Sequence, residues 1–341
     1  MKFFSRQAPY WRGGESISVM MIRVLVALVP VFIASVWFLG IGVLVNLAFA
    51  AAISLSLEAL VLQLRGRPVA PFLFDGSALV TAALIALTLP PLTPWWVTAV
   101  ACLFAIVFAK HVYGGLGYNV FNPAMVGYVV VLISFPQYVA NWSVAGFHAD
   151  APALVAVFVH GILPEQIAVD AYSGATPLDS IKMQLGQMRT MPEILVTPTF
   201  GWLAGRGWEW INLAALAGGL WLLYKKVIRW HIPVAMLGSM TFLYFAFYAM
   251  DAAIHMSPLI GLFSGGTMLA AFFVATDPVS AATSERGRII YGAGIGVLCF
   301  TMREWGAYPD GIAFAVLLMN MAAPLIDRYT LPRIYGHNGP S

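Results

Sequence analysis

"GSALVTAALIALTLPP", residues 76–91, returns later in the chain as "GGTMLAAFFVATDPVS", residues 265–280. Each copy is an apolar run that opens on small residues and ends at a proline step. A second pair follows: "GLGYNVFNPAMVGYVVVLI" at 115–133 and "EWGAYPDGIAFAVLLMNMA" at 304–322. The offset is 189 residues in both cases, slightly more than half of the 341-residue chain. Two copies of one structural unit are therefore expected.

Composition says what the unit is made of. The chain is 60% hydrophobic and 10% charged, with a mean hydropathy of +0.83. A soluble domain carries roughly 25% charged residues, so this chain belongs in lipid. A net charge of +3 is too small to imply a nucleic-acid partner. A helix needs about 20 apolar residues to cross the bilayer core, and ten runs are candidates. They lie at about 19–39, 42–63, 77–90, 95–112, 120–135, 208–224, 231–250, 265–277, 288–302 and 310–326. The third and eighth, the runs quoted first, are too short to cross as straight helices. Each stops at a proline, in "LTLPPLTP" and "VATDPVSA". Discontinuous helices whose freed backbone groups face a cavity are the expected cause. Five spans per half is an odd number, so the second copy must run opposite to the first. The predicted fold class is an all-α polytopic membrane protein of two inverted five-helix repeats with broken third and eighth helices. Its site is expected where the repeats meet.

Lysine and arginine set the orientation. With the N-terminus inside, fourteen of the eighteen cations fall on the cytoplasmic side, among them Arg23, Arg65, Lys110, Arg229 and Arg328. Lys182, Arg189, Arg206 and Arg303 fall outside. The opposite orientation would invert that ratio. The chain then divides into a cytoplasmic tail at 1–18, a first repeat at 19–135, an outer loop at 136–206, a second repeat at 207–327 and a cytoplasmic tail at 328–341. The first tail lacks the short apolar core and cleavage site of a signal peptide and is expected to be retained.

The outer loop holds "VDAYSGATPLD", residues 169–179. Ser173, Gly174 and Ala175 carry no bulk, and Pro177 holds Thr176 extended or in a turn. Two readings are open on these residues: an ordinary loop turn, or a protruding hydroxyl within reach of another enzyme. On the inner side lies "GGLGYNVFNPAM", residues 114–125. Asn119 and Asn122 carry amides able to pair with a carbonyl-rich ring or a cation, and Tyr118 and Phe121 could stack on a flat heterocycle. The same residues also read as a helix entry, with Asn122 as cap and Pro123 in the first turn.

Acids in or near the spans form a third set. A carboxylate in hydrocarbon costs at least about 2.5 kcal/mol and so faces a cavity or serves a purpose. Glu58, inside "ISLSLEALVLQL", and Asp277, at the eighth-span break, are the candidates for ion coupling. Asp75 reads as a helix cap, while Asp251, Glu304 and Asp310 sit near outer ends and are expected to be wet. Cys102 and Cys299 lie in apolar runs and read as buried small hydrophobes; two thiols cannot ligate an iron–sulfur cluster alone. The six histidines show no metal spacing, no metal site is expected, and solvated interfacial places are the expectation for most. Glycines at 287–296 read as helix packing.

"DAYSGAT", together with "GYNVFNPAM", "DGSALVTAALIALTLPP", "ATDPVSAATSERGRIIYG" and "EWGAYPDGIAFAVLLMNMAAPLID", resembles blocks of the NqrB/RnfD family. These are membrane subunits of the sodium-pumping quinone reductase and of the Rnf complex. The similarity runs from about residue 15 to 330. The first span starts almost at once, which is more similar to the RnfD branch. The resemblance implies FMN joined to Thr176 by a phosphoester, placed there by a flavin transferase that recognises Asp170, Ser173, Gly174 and Ala175. Asp170 would help the hydroxyl's proton transfer or hold the transferase's metal. It also implies a ferredoxin:NAD⁺ oxidoreductase of about six subunits, cluster-bearing and flavin-bearing, in the bacterial inner membrane. Electron flow would be coupled to Na⁺ or H⁺ movement, and this chain would not be catalytic alone. Asn119, Phe121 and Asn122 would contact a second flavin, such as a noncovalent riboflavin. An NqrB-like subunit and a urea-channel-like transporter share the topology and stay open at this point.

Overall fold

A computed structural model describes residues 16–146, 148–162 and 173–330. Asp170 and both predicted tails up to residue 15 and from 331 lie outside the described residues. The first half comprises α1 (Ile17–Leu39), α2 (Gly42–Leu64), the short α3 (Val69–Leu73), α4 (Ser77–Thr88), α5 (Trp95–Leu103) and α6 (Pro123–Ser134). Past Leu103, α5 continues as a π-helical segment, Phe104–His111. The connecting segment carries α7 (Pro136–Val139), α8 (Ala151–His160), α9 (Pro177–Gly186) and α10 (Met191–Leu195). It also carries a two-residue ladder in which β1 (Trp142–Ser143) pairs antiparallel with β2 (Ser173–Gly174). The second half comprises α11 (Trp208–Tyr224), α12 (His231–Met250), α13 (Pro258–Phe263), α14 (Thr267–Leu269), α15 (Glu285–Trp305) and α16 (Ile312–Thr330). Here α14 runs on as a π-helical segment, Ala270–Val274. The protein is thus an all-α, multi-pass membrane protein, with helices at all ten predicted places.

Among the described residues, five stretches are long and apolar enough to cross a bilayer by themselves: Ile17–Leu39, Gly42–Leu64, Val69–Thr88, His231–Met250 and Ile312–Thr330. Among the others, α6 opens at Pro123, α15 is diluted by Glu285, Arg286 and Arg288, and α11 has only 17 residues.

The breaks go further than the proline steps announce. Ahead of α4 the chain forms α3 and turns at Gly76, with φ of 82°. Ahead of α14 it forms α13 and turns at Gly265, with φ of 61°. Such positive φ values cost a glycine nothing. Neither α3 nor α13 is foreseen by the sequence pattern, because five- or six-residue helices leave no periodic signal.

The two halves share a packing scheme. In each, the first helix rests on the broken third, α1 on α4 and α11 on α14. The second rests on the fourth, α2 on α5 and α12 on α15. Equivalent helices also meet across the halves, α1 with α11 and α6 with α16. Small residues allow the close crossings. A Cβ on Gly218 of α11 would strike the Ala27 carbonyl of α1, and one on Gly292 of α15 would lie 2.6 Å from the Ile232 carbonyl of α12. The glycines at 287–296 therefore do serve packing.

A buried cation on the fourth helix of each half ties down the break before its third. Lys110 Nζ donates to Ser77 Oγ at 2.7 Å, at the start of α4. Arg303 donates to the Gly261 carbonyl at 2.7 Å and to Thr267 Oγ1 at 2.9 Å, around the start of α14.

Candidate functional site

Two chambers lie against the broken helices. The first, of about 200 Å³, is lined by Trp142, Trp208, Tyr128, Tyr308, Thr176 and Asp310 among others. It sits on the side of the connecting segment. Trp142 and Trp208 meet edge to face, their ring centroids 4.8 Å apart. The local sequence explains why Thr176 reaches this chamber. Ser173 and Gly174 are held by β1, with Trp142 opposite Gly174. Ala175 then passes into Thr176, which is extended at φ −61° and ψ 161° and is the N-cap of α9. Pro177 follows in the first turn and packs against Gly205, where a Cβ would collide with the proline ring.

Of the two readings left open, the turn describes this residue better than a protruding hydroxyl. Thr176 is half-buried and engaged with Asp179: its Oγ1 donates to Asp179 Oδ2 at 2.5 Å. It accepts from the Asp179 backbone N–H at 3.2 Å. Asp179 Oδ2 also accepts from the Thr176 backbone N–H at 3.3 Å, which completes a reciprocal cap. Burial pushes the Asp179 carboxyl above the usual carboxylate range, the Thr176 bonds oppose this, and the negative charge of Asp310 adds to it. Asp179, Trp142, Trp208 and Tyr308 are missed by sequence reasoning. Asp179 was findable, since T-P-L-D is a capping-box signature; the aromatic residues carry no such signal.

Two acids expected to be wet are paired instead. Asp310 accepts from the buried Arg303 guanidinium at 3.0 Å and from the Gly266 N–H at 3.1 Å. Glu304 lies 3.2 Å from His255 Nδ1. A cation packed inside the bundle demands a countercharge, and helix ends supply it at little cost. Asp251 is exposed and accepts from the Ala253 N–H, as a helix end would have it.

The second chamber, of about 90 Å³, is lined by Ser77, Thr81, Lys110, Asn119, Asn122 and Asp277 among others. It brings together the two sequence motifs "GYNVFNP" and "ATDP". Asn122 is both cap and bridge. Its Oδ1 accepts from the Met125 N–H at 3.2 Å, and its Nδ2 donates to the Val274 carbonyl at 3.1 Å. Its backbone N–H donates to Asn320 Oδ1 at 3.0 Å. Asn119 Nδ2 donates to the Phe121 carbonyl at 3.1 Å, while its buried Oδ1 has no partner among the described residues. Asp277 accepts from Ser280 Oγ at 2.7 Å. Phe121 does not line this chamber; it meets Tyr113 edge to face at 6.5 Å, and Tyr118 is exposed.

Glu58 belongs to the wall behind this chamber, not to the space itself. Lys110 Nζ donates to both Glu58 oxygens at 2.7 Å, and both side chains are 2% exposed. Ser77 Oγ passes the chain on to Asp75 Oδ1 at 2.5 Å. Asp75 also accepts from the Ser77 N–H, but the N-cap of α4 is Gly76, so Asp75 stands one residue ahead of the cap position it was expected to fill. Lys110 is thus a buried counterion rather than the interfacial cation expected. His111, expected to be solvated, is buried, with Nε2 3.5 Å from Glu58 Oε1. Both residues close the π-helical segment Phe104–His111 and are buried there side by side. Cys102 and Cys299 are buried free thiols, as expected.

The chambers are back to back. Leu84 faces the second and Leu87 the first, Asn122 the second and Met125 the first, Phe273 the second and Val274 the first. The Asn122–Val274 hydrogen bond lies in the partition.

The model of the NQR2, RnfD, RnfE family matches residues 4–336. Curated relatives that carry the name of a subunit of the ion-translocating oxidoreductase complex align over almost the whole chain. The one from Vibrio atlanticus (strain LGP32) is 48% identical over 348 residues, covering 99% of this chain and all of the relative. The protein of the same name from Pseudomonas paraeruginosa (strain DSM 24068 / PA7) is 50% identical over 334 residues, covering 97% and 95%. That of Escherichia fergusonii is 47% identical over 349 residues, covering 99% of each.

Proposed function

Because the chain belongs to the NQR2, RnfD, RnfE family, we propose that it is the integral subunit of an Rnf-type ferredoxin:NAD⁺ oxidoreductase with FMN in phosphoester linkage on Thr176. The relatives' shared name supports a subunit of an ion-translocating oxidoreductase. The observation that carries the finer reading is the place of Thr176: a half-buried hydroxyl at the N-terminus of a ten-residue helix, on the rim of an aromatic chamber. A helix N-terminus favours a phosphate group, and Trp142, Trp208, Tyr128 and Tyr308 offer faces and edges to a ring system. The chamber is smaller than the roughly 300 Å³ of a pocket that buries a drug-sized ligand. The rings therefore enter in part and remain accessible to electron carriers in partner subunits. When bound, the isoalloxazine supplies the electron transfer. The chain supplies tether, orientation and a dry wall.

Coupling to Na⁺ or H⁺ movement is assigned to the second chamber and its acids, Asp277 and, behind Lys110, Glu58. A noncovalent riboflavin there would find an acceptor in Asn119 Oδ1 but would need the chamber to widen well beyond 90 Å³. On this reading the protein lies in the bacterial inner membrane, both termini cytoplasmic and Thr176 periplasmic. It is matured by a flavin transferase and joined by cluster-bearing and flavin-bearing subunits. The test is in-gel fluorescence of the denatured chain from cells expressing the transferase. Fluorescence in the wild type and none in Thr176→Ala is expected. A dark wild-type band would return the chain to the plain transporter reading.

A further inference from the structure

Thr176 is held before any flavin arrives. The reciprocal cap fixes its backbone and points its hydroxyl hydrogen at one oxygen of Asp179, 2.5 Å away. That distance is at the short end for an O–H···O⁻ bond. Both residues line the aromatic chamber, and Ala175 beside them is exposed. The sequence offers Asp170, outside the described residues, for handling the hydroxyl's proton; among the described residues the carboxylate bonded to Oγ1 is Asp179, three residues onward.

We propose that Asp179 is the general base for its own chain's flavinylation, taking the Thr176 hydroxyl proton as Oγ1 attacks a flavin adenine dinucleotide presented by the transferase. The inference rests on Thr176 being the attachment point. In the step, Oγ1 forms a bond to the phosphorus on the flavin side, and the bond from that phosphorus to the bridging oxygen breaks. AMP leaves with the electron pair, and the proton on Asp179 is passed to solvent or to the leaving phosphate. No oxidation or reduction is involved. Two features suit Asp179 to the role. It is bonded to the nucleophile's own hydrogen, so no reorientation precedes transfer. Its carboxyl is also raised by burial, which brings a base closer to the pH at which it must work. Once the phosphoester forms, Oγ1 has no hydrogen left to give, so its bond to Asp179 Oδ2 is lost, while the two cap bonds, which use backbone N–H donors, do not depend on that hydrogen. The site is therefore reshaped by its own modification.

The test separates this from an ordinary cap. Asp179→Asn keeps an acceptor for the Thr176 hydroxyl and N–H but cannot take a proton; Asp179→Glu keeps a carboxylate. Full-length chain in membranes from cells lacking the transferase is mixed with purified transferase, Mg²⁺ and flavin adenine dinucleotide. The initial rate is read by in-gel fluorescence across pH 5–9. We expect Asp179→Asn to react on the order of 10²–10⁴ times more slowly and to lose the acid limb of the pH profile, while Asp179→Glu recovers part of the rate. Asp179→Asn labelled at the wild-type rate overturns the proposal while leaving Thr176 as the attachment point. So does a slowed Asp179→Asn that melts well below wild type and keeps the acid limb. A wild type that stays dark overturns the attachment reading itself.

Discussion

Replacing Lys110 by methionine strikes a buried side chain whose every donor is engaged. Its ammonium has three donors, and all are used, two on Glu58 and one on Ser77, each at 2.7 Å. With Glu58 and Lys110 each 2% exposed, water cannot replace the lost partner. An unpaired buried carboxylate costs about 3–5 kcal/mol when one member of such a pair is removed. At roughly 2 °C per kcal/mol for a long chain, the melting temperature should fall by about 6–10 °C. Replacing both members together, Glu58→Gln with Lys110→Met, removes the charge along with its countercharge. That variant should melt within about 2 °C of wild type, because isosteric replacement of a whole buried pair is near neutral. The assay is thermal unfolding of the detergent-solubilised protein followed by tryptophan fluorescence. A single variant that melts within about 1 °C of wild type would show that Glu58 is already protonated or hydrated and that the pair is not what holds this wall. A double variant as unstable as the single would show that packing of the lysine stem, not charge, is responsible.

Further expectations test the chambers and their surroundings. Asp277→Asn in the complex reconstituted into vesicles should depress ion uptake while electron transfer continues; unchanged uptake there and in Glu58→Gln would remove both acids as carriers. Asn122→Ala deletes a helix cap and the bond to Val274, and should cost about 1–2 kcal/mol of stability in a denaturant titration. Arg229 and Glu285 form an ion pair at 3.1 Å, but their side chains are 60% and 69% exposed. Glu285→Gln should therefore change stability by no more than about 0.5 kcal/mol, and any effect should vanish at high salt. Asp179, raised in the folded protein by burial, binds its proton more tightly folded than unfolded. Stability of the unflavinylated chain should then decline as pH rises from the ordinary carboxylate value near 4 through the folded pKa. Asp179→Asn should flatten that limb of the melting curve.

The parts of this architecture that follow from counting were legible in the sequence. Apolar length set the helices, the period near 189 residues set which helices are equivalent, and the proline steps set the ends of α4 and of the π-helical segment after α14. Asn122 followed from local chemistry alone, since an asparagine before a proline at the start of an apolar run caps a helix in any surrounding. What was not legible depends on contacts between distant positions. Glu58 looks like a lone acid because its partner lies 52 residues away, on a helix whose π-helical turn shifts the facing residues out of the 3.6-residue pattern. Asp310 and Arg303 look like loop charges, since sequence distance to a helix end does not reveal whether that end is folded back into the bundle.

Thr176 differs from these, because the acid bonded to its hydroxyl lies only three residues away. Small residues and a proline keep its backbone extended, at φ −61° and ψ 161°. Extension does not imply protrusion, since an extended residue directly before a helix is the ordinary geometry of an N-cap. The pattern T-P-L-D already contains the acid that holds the hydroxyl. The residues preceding the threonine carry the family resemblance, and the three that follow it determine whether the hydroxyl is free, buffered or primed. A recognition sequence and a reactive geometry need not therefore occupy the same side of the residue they serve.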